Sequence, residues 1–276
     1  MKRAYKLFLV LFTAIASVFA YSVLFGKLFP YSPIVIGFAR NELDNAIVYT
    51  QPGAEFTQVD EIDQYIPLVE RFHALEFKMK PRIFLFADER TYARRSLSKA
   101  RFCAFYNGAI VVSPWAQREA NDGIISMEIY LRHELSHSLL FQHAGLFNSM
   151  RYPKWLLEGI AVYSTGQMGT SWYPSKTVTY EAIRSGNFLH PQDYHTKAQN
   201  RAELDVPNRI AFIYSEFGCL VDNLINTYGM ERFHSYMIEL LSGEDHDVVF
   251  CNVFEVDFAV FIDRFLQMVS KSAFTA

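Results

Sequence analysis

A chain of 276 residues, 51% hydrophobic and 20% charged, is long enough for one large or two modest domains around a substantial core, and too apolar to stay disordered. Its formal charge of -3 supplies no general basic field, and no run of Lys or Arg follows a helix face, so nucleic acid is excluded as the expected partner. Three cysteines, Cys103, Cys219 and Cys251, are too few for a disulfide scaffold and are not spaced as paired metal ligands; they allow one bridge at most, with three free thiols as the equal alternative.

The chain opens MKRAYKLFLVLFTAIASVFAYSVLFG, with Lys2, Arg3 and Lys6 ahead of an apolar run from Leu7 to Phe25. At about 1.5 Å per residue the run covers a hydrocarbon core of about 30 Å, which favours a membrane anchor. Val18 and Ala20 are small residues that suit a cleavage site, so a secretory signal peptide is the other reading of 1–26. Positive charge stays inside, so either reading places the N-terminus in the cytoplasm and the bulk of the chain, 27–276, outside.

Residues 57–75, TQVDEIDQYIPLVERFHAL, space their apolar side chains as a helix bent or interrupted near Pro67. PRIFLFAD (81–88) reads as a short buried strand, and GAIVVSP (108–114) as a second, opened by Asn107-Gly108 and closed by Pro114. After Asn121-Asp122-Gly123, a predicted N-cap region, helical spacing continues through Phe141. From about Gly166 to Pro207 the Ser, Thr, Tyr and Gly content predicts a long loop of the kind that binds ligands. Helices follow over 207–229, started by Pro207 and ended near Gly229, and over 230–243, stopped by Gly243. The last segment, VFEVDFAVFIDRFLQMVSK, carries helical spacing again. There is no internal repeat and no low-complexity tract. The pattern predicts an α+β fold in which a small mixed or antiparallel sheet precedes a mainly helical half.

The chemistry concentrates in YLRHELSHSLLFQHAG, residues 130–145. His133 and His137 stand one helical turn apart on one face, the placement zinc requires of two imidazoles at about 2.0–2.1 Å each. Glu134, between them in sequence, can reach a water on such a metal without ligating it and take the water's proton as general base. Two residues compete as third ligand. His143 has the spacing of the third histidine in HExxHxxGxxH, the metzincin motif, but the glycine that would turn the chain back beneath the metal is replaced by Leu140. If the helix runs on, His143 lies about 80° round the axis from His133 and about 9 Å beyond His137. The second candidate, Glu158 in YPKWLLEGIAVYSTG, sits on a helix opened by Pro153 and anchored by Trp155, Leu156, Ile160 and Tyr163. Two histidines and a glutamate leave the fourth position free for water, as in catalytic zinc sites.

HELSH followed by WLLEGIAVY resembles the gluzincin metallopeptidases of the thermolysin-like and aminopeptidase-like clan, above all the small peptidase MA-like domains of bacterial exported proteins. The resemblance runs from about Pro81 to about Phe265, with its specific part in the two short motifs. It implies a zincin-like fold, zinc held by His133, His137 and Glu158, and Glu134 as catalytic base. It further implies that Tyr214, in IAFIYSEFGCLVDNLINTYG, donates to the oxyanion of the tetrahedral intermediate, against the ordinary alternative of a core tyrosine. GAIVVSP is similar to the edge strand on which gluzincins lay an extended substrate, the alternative being a plain buried strand.

In thermolysin an acidic residue four positions after the glutamate ligand supports a histidine; here that position is Val162, so another group must orient the histidines. The expectation is an exported, membrane-anchored or secreted zinc metallopeptidase acting on peptides or proteins. The alternatives are a catalytically degenerate zincin acting as a binding or assembly factor at the membrane, or a membrane protein with an accidental HExxH. Substrate preference and oligomeric state have no signature in the sequence.

Overall fold

The structure, a computed structural model, describes residues 2–271. Helix α1 (Lys2–Leu24) carries the apolar run and stands clear of the rest of the fold, and its Tyr5–Leu24 span is long and apolar enough to cross a membrane. Phe29 follows almost at once and is fully buried, so the folded body begins where the helix ends.

Two short strands come next, β1 (Ala39–Glu42) and β2 (Ile47–Thr50), then α2 (Ile62–His73), β3 (Arg82–Leu85), α3 (Glu89–Arg95), β4 (Phe102–Ala104) and β5 (Ala109–Val112). The five strands form one mixed sheet in the order β1-β2-β3-β5-β4. β2, β3 and β5 run parallel, and β1 and β4 flank them antiparallel. Alternation along β3 sorts the sheet's two faces. Ile83 and Leu85 pack with Val48, Ile110 and Val112 under α2, while Phe84 and Phe86 join Phe29, Tyr92 and Val111 in an aromatic cluster on the other side. The expected strand 108–114 is therefore present, but it is interior, paired on both sides. The sheet's edges are β1 and β4, and the reading of GAIVVSP as the edge strand is corrected accordingly. Pro67 lies within a continuous α2 at an exposed position, where the bond it cannot donate is lost on the solvent side.

After α4 (Pro114–Asn121) comes α5 (Met127–Arg151), the helix that carries HELSH. Its N-cap is Ser126, whose hydroxyl accepts from the Ile129 amide, rather than Asn121-Asp122-Gly123. Leu131, Leu135 and Leu139 pack on the sheet's α2 face. His73 at the end of α2 locks the two helices together, its Nδ1 donating to the Val69 carbonyl and its Nε2 accepting from Ser136 Oγ, both at 2.8 Å. Burial lowers its pKa to about 4, so it stays neutral. α5 continues past Leu140 and breaks only at Gly145, where φ is +70°.

The helical half contains α6 (Lys154–Thr165), α7 (Lys176–Arg184), α8 (Lys197–Arg201), α9 (Arg209–Tyr228), α10 (Met230–Glu239), α11 (His246–Phe254) and α12 (Phe258–Lys271). Its core is aromatic and aliphatic, from Trp155 and Ile160 on α6 through Phe212 and Phe217 on α9 to Phe265 on α12. α6 and α9 cross in near backbone contact, because a Cβ on Gly159 would lie 2.6 Å from the Phe217 carbonyl oxygen.

The expected loop from 166 to 207 is instead mostly ordered into α7, α8 and a single 3-10 turn at Pro191–Asp193. Ser175 caps α7 at the Val178 amide, and Thr179, Tyr180 and Ile183 bury its inner face. The fully buried Glu216 on α9 accepts from the Leu189 amide and pins the following stretch; burial raises its pKa well above the ordinary value. α9 is capped by Asn208, not opened by Pro207, and the final helical stretch is divided by Glu255 in the left-handed region. The three cysteines are free thiols.

Candidate metal centre

The imidazoles of His133 and His137 project from α5, one turn apart, with their Nε2 atoms 3.1 Å from each other. Pro153 starts α6 directly after α5, and the Gly159 crossing presses α6 into the core, which brings Glu158 to the same point. Its Oε2 lies 3.2 Å from His133 Nε2 and 3.4 Å from His137 Nε2. These three residues form the group of His, Cys, Asp or Glu able to hold a metal among the described residues. His143 is not part of it: its Nε2 lies 2.8 Å from the Glu76 carbonyl, as expected if the helix passes through Leu140 unbroken.

The donor set fits a tetrahedral cation. With metal to ligand distances of about 2.0–2.1 Å, the edges of a tetrahedron are about 3.3–3.4 Å, close to the three separations observed. A proton satisfies only one of these contacts at a time, whereas a cation at the centre meets all three lone pairs. The electrostatics agree with that geometry. Burial opposes charge on Glu158, but both imidazoles outweigh it and hold its carboxyl far below the usual carboxylate range, so Glu158 is ionised. Burial likewise opposes charge on His133, and Glu158 reverses the balance and raises its pKa.

Glu134 is half-buried and does not join the cluster. Its Oε2 accepts from the Ala104 amide at 2.6 Å, which ties the carboxylate to β4, an edge strand of the sheet. Cys103 next to it lies outside the group, and burial and the Glu134 charge push its thiol up to about 12.

Tyr214 on α9 stacks on the His133 ring, with centroids 6.1 Å apart and planes 8° from parallel, and its hydroxyl accepts from Tyr194 at 3.3 Å. Burial first, then the charge of Glu158, raises its pKa well above the ordinary value, so it is a standing hydrogen-bond donor. Tyr173 and Tyr194, both from the stretch expected to be a loop, pack against it.

One residue of the site has no spacing signature. Gln167 is buried, and its Oε1 accepts from His133 Nδ1 at 2.8 Å, which fixes the tautomer with Nε2 free for a metal. Its position follows from how α6 ends. Gly166 takes the left-handed conformation, its amide bonds the Tyr163 carbonyl, and the Gln167 amide bonds the Val162 carbonyl, folding the chain back over the last turn. Val162 itself is fully buried and offers its side chain only to packing. Gln167→Ala is expected to weaken zinc binding by about 10- to 100-fold in a competitive chelator titration, with Gln167→Glu binding at least as tightly as the wild type because the acceptor is kept and gains a charge. Unchanged affinity in the alanine variant would remove Gln167 from the site.

No protein-family model matches the chain, and no curated protein matches it. Among solved structures it is similar to the M1 zinc metallopeptidase from Deinococcus radiodurans, at 12% identity and a TM-score of 0.46, over 86% of this chain and 52% of the other. The chain thus spans about half the length of that structure.

Proposed function

We propose that the protein is a membrane-anchored zinc metallopeptidase that hydrolyses peptide bonds outside the cytoplasm. The observation that carries the reading is the convergence of His133, His137 and Glu158 within 4.8 Å of one another, with Glu134 beside them and outside the set. A structural zinc site closes its fourth position with a protein ligand, and the described residues offer no fourth. Zinc bound there supplies Lewis acidity toward a carbonyl and lowers the pKa of water to about 7.

Every other step falls to the chain's own side chains. His133, held by Gln167, and His137 present their Nε2 atoms, and Glu158 adds the negative charge. Glu134 accepts the proton of the attacking water and passes it to the departing amine. Tyr214, kept neutral by burial, donates to the oxyanion that forms as the carbonyl becomes tetrahedral. Of the sheet's two edge strands, β4 is the one that contacts Glu134, and an extended substrate backbone would lie along it. Gln167 supplies for His133 the support that Val162 cannot, while His137 Nδ1 is buried without a hydrogen-bond partner among the described residues; the support of His133 favours an enzyme over a degenerate binding factor.

α1 serves as the anchor in this reading, its Tyr5–Leu24 span being long and apolar enough to cross a membrane. The purified full chain, presented with a peptide mixture and followed by mass spectrometry, should cleave with zinc and stop when a chelator removes it. Stoichiometric zinc with no cleavage of any peptide would return the protein to a binding role.

A further inference from the structure

The end of α1 is built into the domain with no spacer. Its Tyr5–Leu24 span, 20 residues, is about 30 Å long at about 1.5 Å per residue, the full thickness of a hydrocarbon core. Two residues later Gly26 is buried, and a Cβ there would lie 2.9 Å from the Ser22 Cα. Lys27 then fixes the exit direction: its Nζ donates to the Ala93 carbonyl at 2.5 Å and to the Ser96 carbonyl at 3.0 Å, at the end of α3. The Arg95 guanidinium clamps the same point, lying over the Phe25 and Phe29 rings at 5.6 and 4.7 Å while donating to the Ile36 carbonyl at 2.6 Å.

The surface gathered around this exit is apolar where exposure would otherwise be costly. Ile34, Ile36 and Leu97 are 58%, 40% and 55% exposed, and Leu97 directly follows the Ser96 that Lys27 grips. Arg94 and Lys99 are exposed on the same segment. A helix that ends at the hydrocarbon boundary and enters the fold two residues on holds that surface at headgroup level. Apolar side chains there enter the interfacial layer, and Lys and Arg donate to lipid phosphates.

We infer that the collar of Ile34, Ile36 and Leu97, with Lys27, Arg94 and Lys99, rests on the phospholipid headgroups of the membrane that α1 crosses, so that the domain is docked in one orientation instead of tethered. The inference rests on the anchor reading of α1 and is independent of catalysis. Its test uses the full chain reconstituted in phosphatidylethanolamine and phosphatidylglycerol vesicles, carrying Cys251→Ser to remove the exposed thiol. An environment-sensitive fluorophore is placed at Leu97→Cys, at Ile36→Cys, and at Ile238→Cys on α10 as the exposed control. Blue-shifted emission and quenching by spin-labelled lipid at 36 and 97, with water-like emission at 238, are the expected results. Water-like emission at 36 and 97 in a chain that resists carbonate extraction overturns the collar and leaves the anchor standing; a surface meant for a protein partner gives that outcome, since the vesicles hold no other protein. A chain released by carbonate, or recovered without its first residues, overturns both.

Discussion

Glu134→Gln is expected to abolish peptide hydrolysis while leaving about one zinc per chain, the separation that distinguishes a base from a ligand. The amide is nearly isosteric, and it can still accept from the Ala104 amide that holds the carboxylate against β4. What it cannot do is take a proton from water at neutral pH. General base catalysis alone is worth about 10²- to 10⁴-fold, and the same group must return the proton to the amine, so a fall at or beyond the upper end of that range is expected. Zinc content and turnover are measured on the same preparation. Substantial residual cleavage would move the base elsewhere, and loss of zinc would make Glu134 a ligand, which its position outside the cluster argues against.

Metal analysis of two further variants separates the candidate third ligands. Glu158→Ala removes the only anionic donor of the set, and the loss in zinc affinity should exceed the about 10- to 100-fold expected of a supporting residue such as Gln167. His143→Ala should retain full zinc and shift stability by no more than about 0.5 kcal/mol, since its Nε2 meets only the Glu76 carbonyl near the surface. Thermal unfolding gives a second readout. Zinc at about a hundred times its dissociation constant stabilises the native state by about 2.7 kcal/mol. That increment should survive in His143→Ala and vanish in Glu158→Ala. The opposite pattern would place the third ligand on α5 and require the helix to break before Gly145.

Much of this centre is legible in the sequence because its parts are local. Helical periodicity alone sets His133 and His137 side by side, and Leu140 in place of glycine predicts the continuous α5 that carries His143 away. Pro153 and the buried Trp155 likewise announce α6. The parts that escape are those whose signal is short or tertiary. β1 is exposed at every position, and β4 is three residues long, so neither shows an alternation to read. That is why the sheet edge was expected one strand too far in. α7 and α8 are 9 and 5 residues long, and their polar content reads as a loop, although Ser175 ahead of a helical Thr179, Tyr180 and Ile183 stripe is a cap signal for the first of them. Gln167 is 34 residues from His133 and has no characteristic spacing. Only Gly166, by turning the chain back over the end of the ligand helix, hints that the next side chain returns to the site.

The choice of an amide at residue 167 also changes the charge of the whole centre. A carboxylate bonded to His133 Nδ1 would draw the imidazole's proton toward itself and lend the ring anionic character, so the metal would see more negative charge. Gln167 can accept that hydrogen bond but cannot pull the proton away, so His133 would bind a metal as a neutral ligand. Around a divalent ion, two neutral imidazoles and one ionised Glu158 would leave a net charge of about +1, counted over the three ligands and the metal. Such a centre would hold its ion less tightly than one backed by a second acid, and would stay more electron-poor toward an incoming carbonyl.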